Sequence, residues 1–139
     1  MSLDPTTLQA GDQIPVWERA GTFDHWNRFA AVNDEFAGHH MDDEVGRHEG
    51  FGAAFIMAPL SHAYLHAMLR DWLDDQGRIV SIEMRLRSPL LRGRTLRAGG
   101  EVTAVRREAD EIFVDLDVWE ADDQDVRLSA GPATVAFPA

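Results

Sequence analysis

The segment of residues 54–73 constrains the fold most, because it predicts a long helix that is apolar on nearly every side. Pro59 lies near the start of this segment, where the N–H that proline lacks would have no helical partner anyway. A helix that is hydrophobic all round has to be surrounded by protein. The rest of the chain must therefore supply a surface that wraps around it.

Antiparallel strands are predicted to form that surface. After a turn at residues 74–77 the hydrophobic period changes from 3.6 to 2, which predicts a half-buried strand that contains Ile82, Met84 and Leu86. Three more strands are predicted at about 95–107, 112–120 and 126–137. In the second of these, Glu120 is expected to face solvent.

A short strand and a short helix are predicted before the long helix. Residues 13–17 are typical of a strand, and Thr22 is a suitable N-cap for a helix that ends near residue 32. One long helix against an antiparallel meander is an α+β arrangement. If the sheet curls around one long central helix, the architecture is a hot-dog fold. Residues 1–139 are predicted to form one such domain.

The composition excludes several classes of function. A net charge of −11 argues against nucleic acid as a partner, because phosphate binding requires a positive field. No uninterrupted apolar run reaches the roughly 18 residues of a membrane span. The absence of cysteine excludes disulfides and a thiol nucleophile. The first dozen residues lack the pattern of a signal peptide, so a cytoplasmic protein without membrane or nucleic-acid partners is expected.

The loop before the long helix contains two carboxylate–imidazole pairs with the same spacing. Asp34 precedes His39 by five residues, and Glu35 precedes His40 by five. A carboxylate and an imidazole provide a general base and a second acid/base group. The N-terminus of the following helix can direct N–H groups at a developing oxyanion. This combination is suited to chemistry beside a thioester carbonyl.

Three sequence runs resemble a known family. EFAGHH occupies residues 35–40, FIMAP occupies 55–59 and RSPLLRGRTL occupies 87–96. In order and spacing they resemble the Asp-Phe-Asn-Pro-Ile-His loop, the Ile-Ala-His-Gly-Met helix start and the Arg-x-Pro-(aliphatic)-x-x-Gly-Asp-Thr-Leu turn of MaoC-like, R-specific enoyl-CoA hydratases and dehydratases. That family has the hot-dog fold, and the resemblance extends over roughly residues 22–105.

The resemblance favours one of the two pairs. Phe29 lies six residues before Glu35, and His40 lies 17 residues before Met57, as in the family pattern. The resemblance therefore implies that Glu35 and His40 are the catalytic pair, with Asp34 and His39 as the alternative register.

The same resemblance implies a substrate-binding set. Ala58 would offer its backbone N–H to the thioester carbonyl, and Met57 stands where the family has the helix-start histidine. Gly38 would loosen the loop enough for the longer side chain of Glu35, and Arg87 begins the turn motif. The chain departs from the family at each of the first four of these residues, since aspartate, Asn-Pro and His-Gly-Met have been replaced.

A narrower resemblance concerns assembly. The pattern Phe-x-x-x-His-x-Asp at residues 36–42, a helix ending in Arg-Asp-Trp and a strand with Ile-x-x-Arg-Leu are similar to the small MaoC-like subunits of actinobacterial steroid side-chain hydratases. Those subunits pair with a second, degenerate MaoC-like chain. The resemblance thus implies either a homodimer or a heteromer with a MaoC-like partner.

The expected reaction is the hydration of a 2-enoyl-CoA to a 3-hydroxyacyl-CoA, or the reverse dehydration, in fatty acyl or steroid side-chain metabolism. The thioester could belong to coenzyme A or to acyl carrier protein, and no metal or organic cofactor is implied. His62 and His66 have helical metal-ligand spacing, but no carboxylate completes a zinc-binding HExxH pattern. One alternative is a non-catalytic or half-site subunit, and another is an acyl-CoA thioesterase.

Overall fold

One long helix packs against a single antiparallel sheet. The computed structural model describes residues 3–139, within which it contains six strands, three α-helices and one 3-10 turn. In chain order these are β1 (Gln13–Ala20), α1 (Phe23–Asn33), the 3-10 turn (Gly38–His40), α2 (Asp43–His48), α3 (Ala58–Leu73), β2 (Arg78–Ile82), β3 (Arg85–Leu86), β4 (Thr95–Glu108), β5 (Glu111–Asp122) and β6 (Arg127–Pro138).

The sheet has the strand order β1-β4-β5-β6-β2, and β3 pairs with β6 alongside β2. The three longest strands, β4, β5 and β6, form a hairpin meander with antiparallel register throughout. The sheet curls around α3 but does not close, so β1 and β2 remain as edges. The predicted α+β hot-dog architecture is confirmed.

Helix α3 buries one face against this sheet. Within α3, Leu60 and Tyr64 are 7% and 8% exposed, and Leu65, Met68 and Leu69 are buried with them; Ile56, just before the helix, is 3% exposed. They share one core with the inward residues of β5, whose two-residue alternation directs an apolar face at the helix, and with buried residues of β6. On the remaining face His62, His66 and the small residues near them are only half-buried.

The predicted strand near residue 82 is interrupted. It divides into β2 and β3, which pair with different parts of the same neighbour, β6. Between them the carbonyl of Glu83 passes so close to Gly131 that a Cβ there would lie 1.9 Å from the carbonyl oxygen. Glycine at position 131 therefore permits the close approach of two backbones that bends this edge of the sheet.

The expectation that Glu120 faces solvent is wrong. The two-residue period of β5 carries Glu120 to the same face as Val118, and its exposed fraction is 0%. Ser61 of α3 and Ser129 of β6 donate hydrogen bonds to its Oε1 at 2.7 and 2.8 Å. Its Oε2 has no partner among the described residues. Burial raises the pKa of this carboxyl group to about 7, although the two serine hydroxyls act in the opposite direction.

No helix within residues 3–139 is both long enough and apolar enough to cross a membrane.

Candidate active site

His40 ends the 3-10 turn and is the buried member of the loop. Its exposed fraction is 7%, and its Nδ1 lies 2.7 Å from the carbonyl oxygen of Phe55. Because a carbonyl oxygen can only accept a hydrogen bond, Nδ1 carries a proton and donates it. Burial lowers the pKa of His40, against the opposing effect of the Phe55 hydrogen bond. The neutral ring therefore has a free lone pair on Nε2.

Glu35 approaches that nitrogen from the other side of the loop. Helix α1 ends at Asn33, and the left-handed backbone of its C-cap Asp34 (φ 54°) turns the chain. The Glu35 N–H then donates to the carbonyl of Ala30 at 3.0 Å. Glu35 Oε1 then lies 3.9 Å from His40 Nε2. This separation is too long for a direct hydrogen bond, but one water oxygen can reach both atoms.

These two side chains line a cleft of about 310 Å³ that lies beside the start of α3. Most of its lining is apolar, and both Ala58 and Arg87 contribute to it. The full lining consists of Glu35, His40, Phe51, Phe55, Ile56, Ala58, Leu86, Arg87, Ser88 and Pro89. A mostly apolar cleft with a few convergent polar groups is typical of a small-molecule site.

The start of α3 offers one unpaired donor to this cleft. The N–H groups of Leu60 and Ser61 both bond to the carbonyl of Met57, and Pro59 has no N–H. Within residues 3–139, no hydrogen-bond acceptor lies against the N–H of Ala58. The first N–H groups of a helix point out of its end, where the helix dipole favours negative charge. A carbonyl oxygen in the cleft can therefore be stabilised here.

The alternative register does not come together as a pair. Asp34 is exposed at the end of α1 and is absent from the cleft lining. His39 instead stacks on the ring of Phe55, with a centroid distance of 4.7 Å, and contacts Glu49 and His40. Of the two carboxylate–imidazole pairs, only Glu35 and His40 therefore line the cleft.

Two of the residues predicted to bind substrate lie off the cleft lining. Met57 is 0% exposed and caps the start of α3 from within the core. Gly38 is exposed, and a Cβ on it would meet Val45 at an ordinary 3.5 Å. Within the 3-10 turn the His40 N–H donates to the Ala37 carbonyl at 3.0 Å. Ala58 and Arg87 do line the cleft.

Sequence reasoning missed several residues of the site. Phe51 and Leu86 contribute apolar cleft surface although both are 39% or more exposed, and Glu49 reaches His39 from the end of α2. No local signal in the sequence points to Glu49, because its contact with His39 depends on how α2 folds back beside the 3-10 turn. Within residues 3–139, no group of three or more metal-ligating side chains is gathered in one place, and His62 and His66 stand without a third ligand.

Comparison with known proteins gives a clear result for structure. No protein-family model and no curated sequence matches the chain. An (R)-hydratase from A. caviae involved in PHA biosynthesis superimposes with a TM-score of 0.84 at 19% identity, over 95% of this chain and 98% of the hydratase. The ChsH1-ChsH2 complex from Mycobacterium tuberculosis matches with a TM-score of 0.80 at 19% identity, over 93% and 98%.

A third solved structure bears the family name itself. The MaoC-like dehydratase from Rhodospirillum rubrum matches with a TM-score of 0.81 at 18% identity, over 96% of both chains. Likeness over nearly the whole length of all three proteins shows that this chain has the hot-dog fold of the MaoC-like hydratases and dehydratases. The resemblance inferred from the loop, helix-start and turn motifs is thereby confirmed for the fold.

Proposed function

We propose that this protein adds water to a 2-enoyl-CoA thioester to give a 3-hydroxyacyl-CoA, or catalyses the reverse dehydration. The observation that carries the proposal is the convergence of Glu35 and His40 Nε2, 3.9 Å apart, on a cleft that Ala58 lines at the start of α3. The shared fold with an (R)-hydratase and a MaoC-like dehydratase supports the same reaction class.

The reaction follows from these groups. Glu35 and His40 hold one water between them, and a proton leaves this water as its oxygen bonds to C3 of the enoyl group. The electrons of the C2–C3 double bond move towards the thioester carbonyl, whose oxygen accepts a hydrogen bond from the Ala58 N–H. A proton then bonds to C2, so that the water has been added across the double bond with no net change in protons.

The rest of the cleft suits the remainder of such a substrate. Phe51, Phe55 and Leu86 offer apolar contact for an acyl chain. Arg87 is exposed at the same cleft, and within residues 3–139 it forms no ion pair, so its planar guanidinium is available to a carrier phosphate. Coenzyme A and acyl carrier protein both carry such a phosphate, so Arg87 suits either carrier, and the coenzyme A thioester is the form used in the test below.

The direct test is hydration of a short 2-enoyl-CoA by the purified chain. We expect the ultraviolet absorbance of the conjugated enoyl thioester to fall and a 3-hydroxyacyl-CoA to accumulate. A saturated acyl-CoA of equal length is the control, and it should remain unchanged. Release of free coenzyme A thiol from either compound would instead identify a thioesterase.

A second expectation concerns assembly. Within the described residues, β1 and β2 each have one outer edge that pairs with no strand, Val80 of β2 is 43% exposed, and one face of α3 is only partly covered. Unpaired edges and apolar surface favour association. We propose a homodimer or a pair with a second MaoC-like chain, and the matching ChsH1-ChsH2 structure is itself a complex. A strictly monomeric mass in light scattering at micromolar concentration, with no partner recovered, would contradict this.

The half-site alternative has a specific observation in its favour. At the start of α3, Met57 replaces the histidine of the family motif and is wholly buried, so its side chain cannot reach a substrate. If a partner chain supplies the missing polar group, the purified chain is inactive alone and becomes active on mixing with that partner. Activity of the isolated chain on a 2-enoyl-CoA would exclude this alternative.

A further inference from the structure

Asp43, at the start of α2, forms an ion pair with Arg92, which lies 49 residues later in the turn before β4. Arg92 Nε lies 2.8 and 2.9 Å from the two carboxylate oxygens, and Nη2 also contacts Oδ2. Hydrogen bonds from Arg92 and from the Ala54 N–H lower the pKa of Asp43 to about 2, so its carboxylate is charged near neutral pH. Because the side chains of Asp43 and Arg92 are 20% and 41% exposed, the pair should add little to the free energy of unfolding. Its main effect is therefore expected on the geometry of the residues around it.

Both partners hold the peptide groups of Ala54. The N–H of Ala54 donates to Asp43 Oδ1 at 3.0 Å, and the backbone N–H of Arg92 donates to the carbonyl of Ala54 at 2.8 Å. Helix α2 also packs tightly on this stretch, since a Cβ on Gly46 would lie 2.0 Å from the carbonyl oxygen of Ala53. Residue 54 is thus fixed between α2 on one side and the turn before β4 on the other.

The next residue, Phe55, orients the candidate catalytic imidazole. Its carbonyl oxygen lies 2.7 Å from His40 Nδ1, and its N–H donates to the carbonyl of His39 at 3.0 Å. On the other side of the same short segment, the N–H of Ile56 donates to the carbonyl of Leu90 at 2.9 Å. Because residue 54 is covalently joined to Phe55, a displacement of residue 54 also moves the carbonyl that holds the His40 ring.

Arg92 also contacts the helix that leads to Glu35. Its guanidinium carbon lies 5.1 Å from the ring centroid of Phe23, the first residue of α1, as in a cation–π contact. One arginine therefore contacts both α1, which precedes Glu35, and the start of α2, which follows His40. Neither Asp43 nor Arg92 lines the cleft itself.

We propose that Asp43 and Arg92 are positioning residues for His40. They fix the Phe55 carbonyl, which turns the imidazole so that Nε2 faces the water it shares with Glu35. Because the pair lies off the cleft, it acts on the reaction through His40 and does not touch the substrate. The catalytic consequence rests on the proposed hydration, whereas the hold on the His40 ring does not.

Hydration kinetics test the catalytic consequence. Asp43→Ala should lower kcat on the order of tenfold, because a small displacement of a catalytic group is costly, and should leave KM within about twofold. Arg92→Lys, which retains the charge but loses the planar fork, should give an intermediate kcat. Glu44→Ala is the matched control, since it removes the neighbouring carboxylate of α2, which pairs with Arg47 instead. An unchanged kcat in Asp43→Ala, or an equal loss in Glu44→Ala, would overturn the proposal.

Histidine NMR tests the same geometry without activity. Long-range ¹H–¹⁵N spectra of the full chain, at a pH where His40 is neutral, should show its proton on Nδ1 in the wild type and in Glu44→Ala. Asp43→Ala should move part of the population to the Nε2–H tautomer, because the Phe55 acceptor is no longer fixed. An unchanged tautomer in Asp43→Ala would overturn the proposal. If these spectra are as expected but the wild type never hydrates a 2-enoyl-CoA, the positioning role is supported and the proposed function is removed instead.

Discussion

Replacing Glu35 with Gln, or His40 with Ala, is expected to lower kcat on a 2-enoyl-CoA about a hundredfold or more, the order of a general acid–base contribution. Both side chains line the cleft, and Glu35 Oε1 and His40 Nε2 are close enough to hold one water. Because they act on that same water, the double variant should cost far less than the product of the two single losses. Steady-state hydration kinetics measure all three values.

The alternative register provides the controls for this experiment. Asp34→Asn should leave kcat nearly unchanged, since Asp34 is exposed at the end of α1 and lies off the cleft. His39→Ala should keep kcat within about tenfold, because His39 stacks on Phe55 and does not line the cleft. If the Asp34 and His39 variants were the inactive ones, the register would be wrong. Full activity in all four single variants would place the catalytic site outside this loop.

Much of the fold could be predicted because its signals are local and repeated. The all-round hydrophobicity of residues 54–73 required an enclosing surface, and the two-residue period of the later strands supplied one. The Phe29 and Met57 spacings distinguished two otherwise identical carboxylate–imidazole pairs. The structure brings the preferred pair, Glu35 and His40, to one cleft and leaves Asp34 outside it.

The features that sequence reasoning missed depend on contacts between distant parts of the chain. The division into β2 and β3 requires the Glu83 backbone to cross Gly131, which is 48 residues away in the numbering. Glu49 meets His39 only because α2 turns the chain back on the 3-10 turn. Met57 resembles a substrate-facing helix start in sequence, yet its side chain is completely buried. None of these contacts has a periodic signature in the sequence.

The wrong expectation for Glu120 has a different cause. The two-residue period of β5 places Glu120 on the buried face, but its charged side chain argued for the solvent face. A charged residue is almost never fully buried unless it is paired, which favours the solvent face. Here, however, the same alternation that buries Val118 also buries Glu120 beneath α3. Two serine hydroxyls satisfy one of its oxygens, and a pKa of about 7 allows the group to be neutral below that pH.

Because the Glu120 carboxyl group is buried, we expect the free energy of unfolding to depend on pH. The pKa of Glu120 is about 7 in the folded protein and 4.5 as the ordinary value, so the folded state binds more protons between these two pH values. The free energy of unfolding therefore falls as the pH rises through that window, by roughly 3 kcal/mol in total for this group. The full stabilisation is present below pH 4.5 and is lost as the pH rises through 7.

Glu120→Gln tests this directly, because the amide has nearly the same shape and no charge to bury. Its free energy of unfolding relative to that of the wild type, from urea titrations, should rise by roughly 3 kcal/mol between about pH 4.5 and pH 8. Asp117→Asn, on the exposed face of the same strand, should show no such rise. A constant difference between Glu120→Gln and wild type over this range would mean that Glu120 is already ionised in the fold at acidic pH. Water would then have to reach Oε2, which has no partner among the described residues.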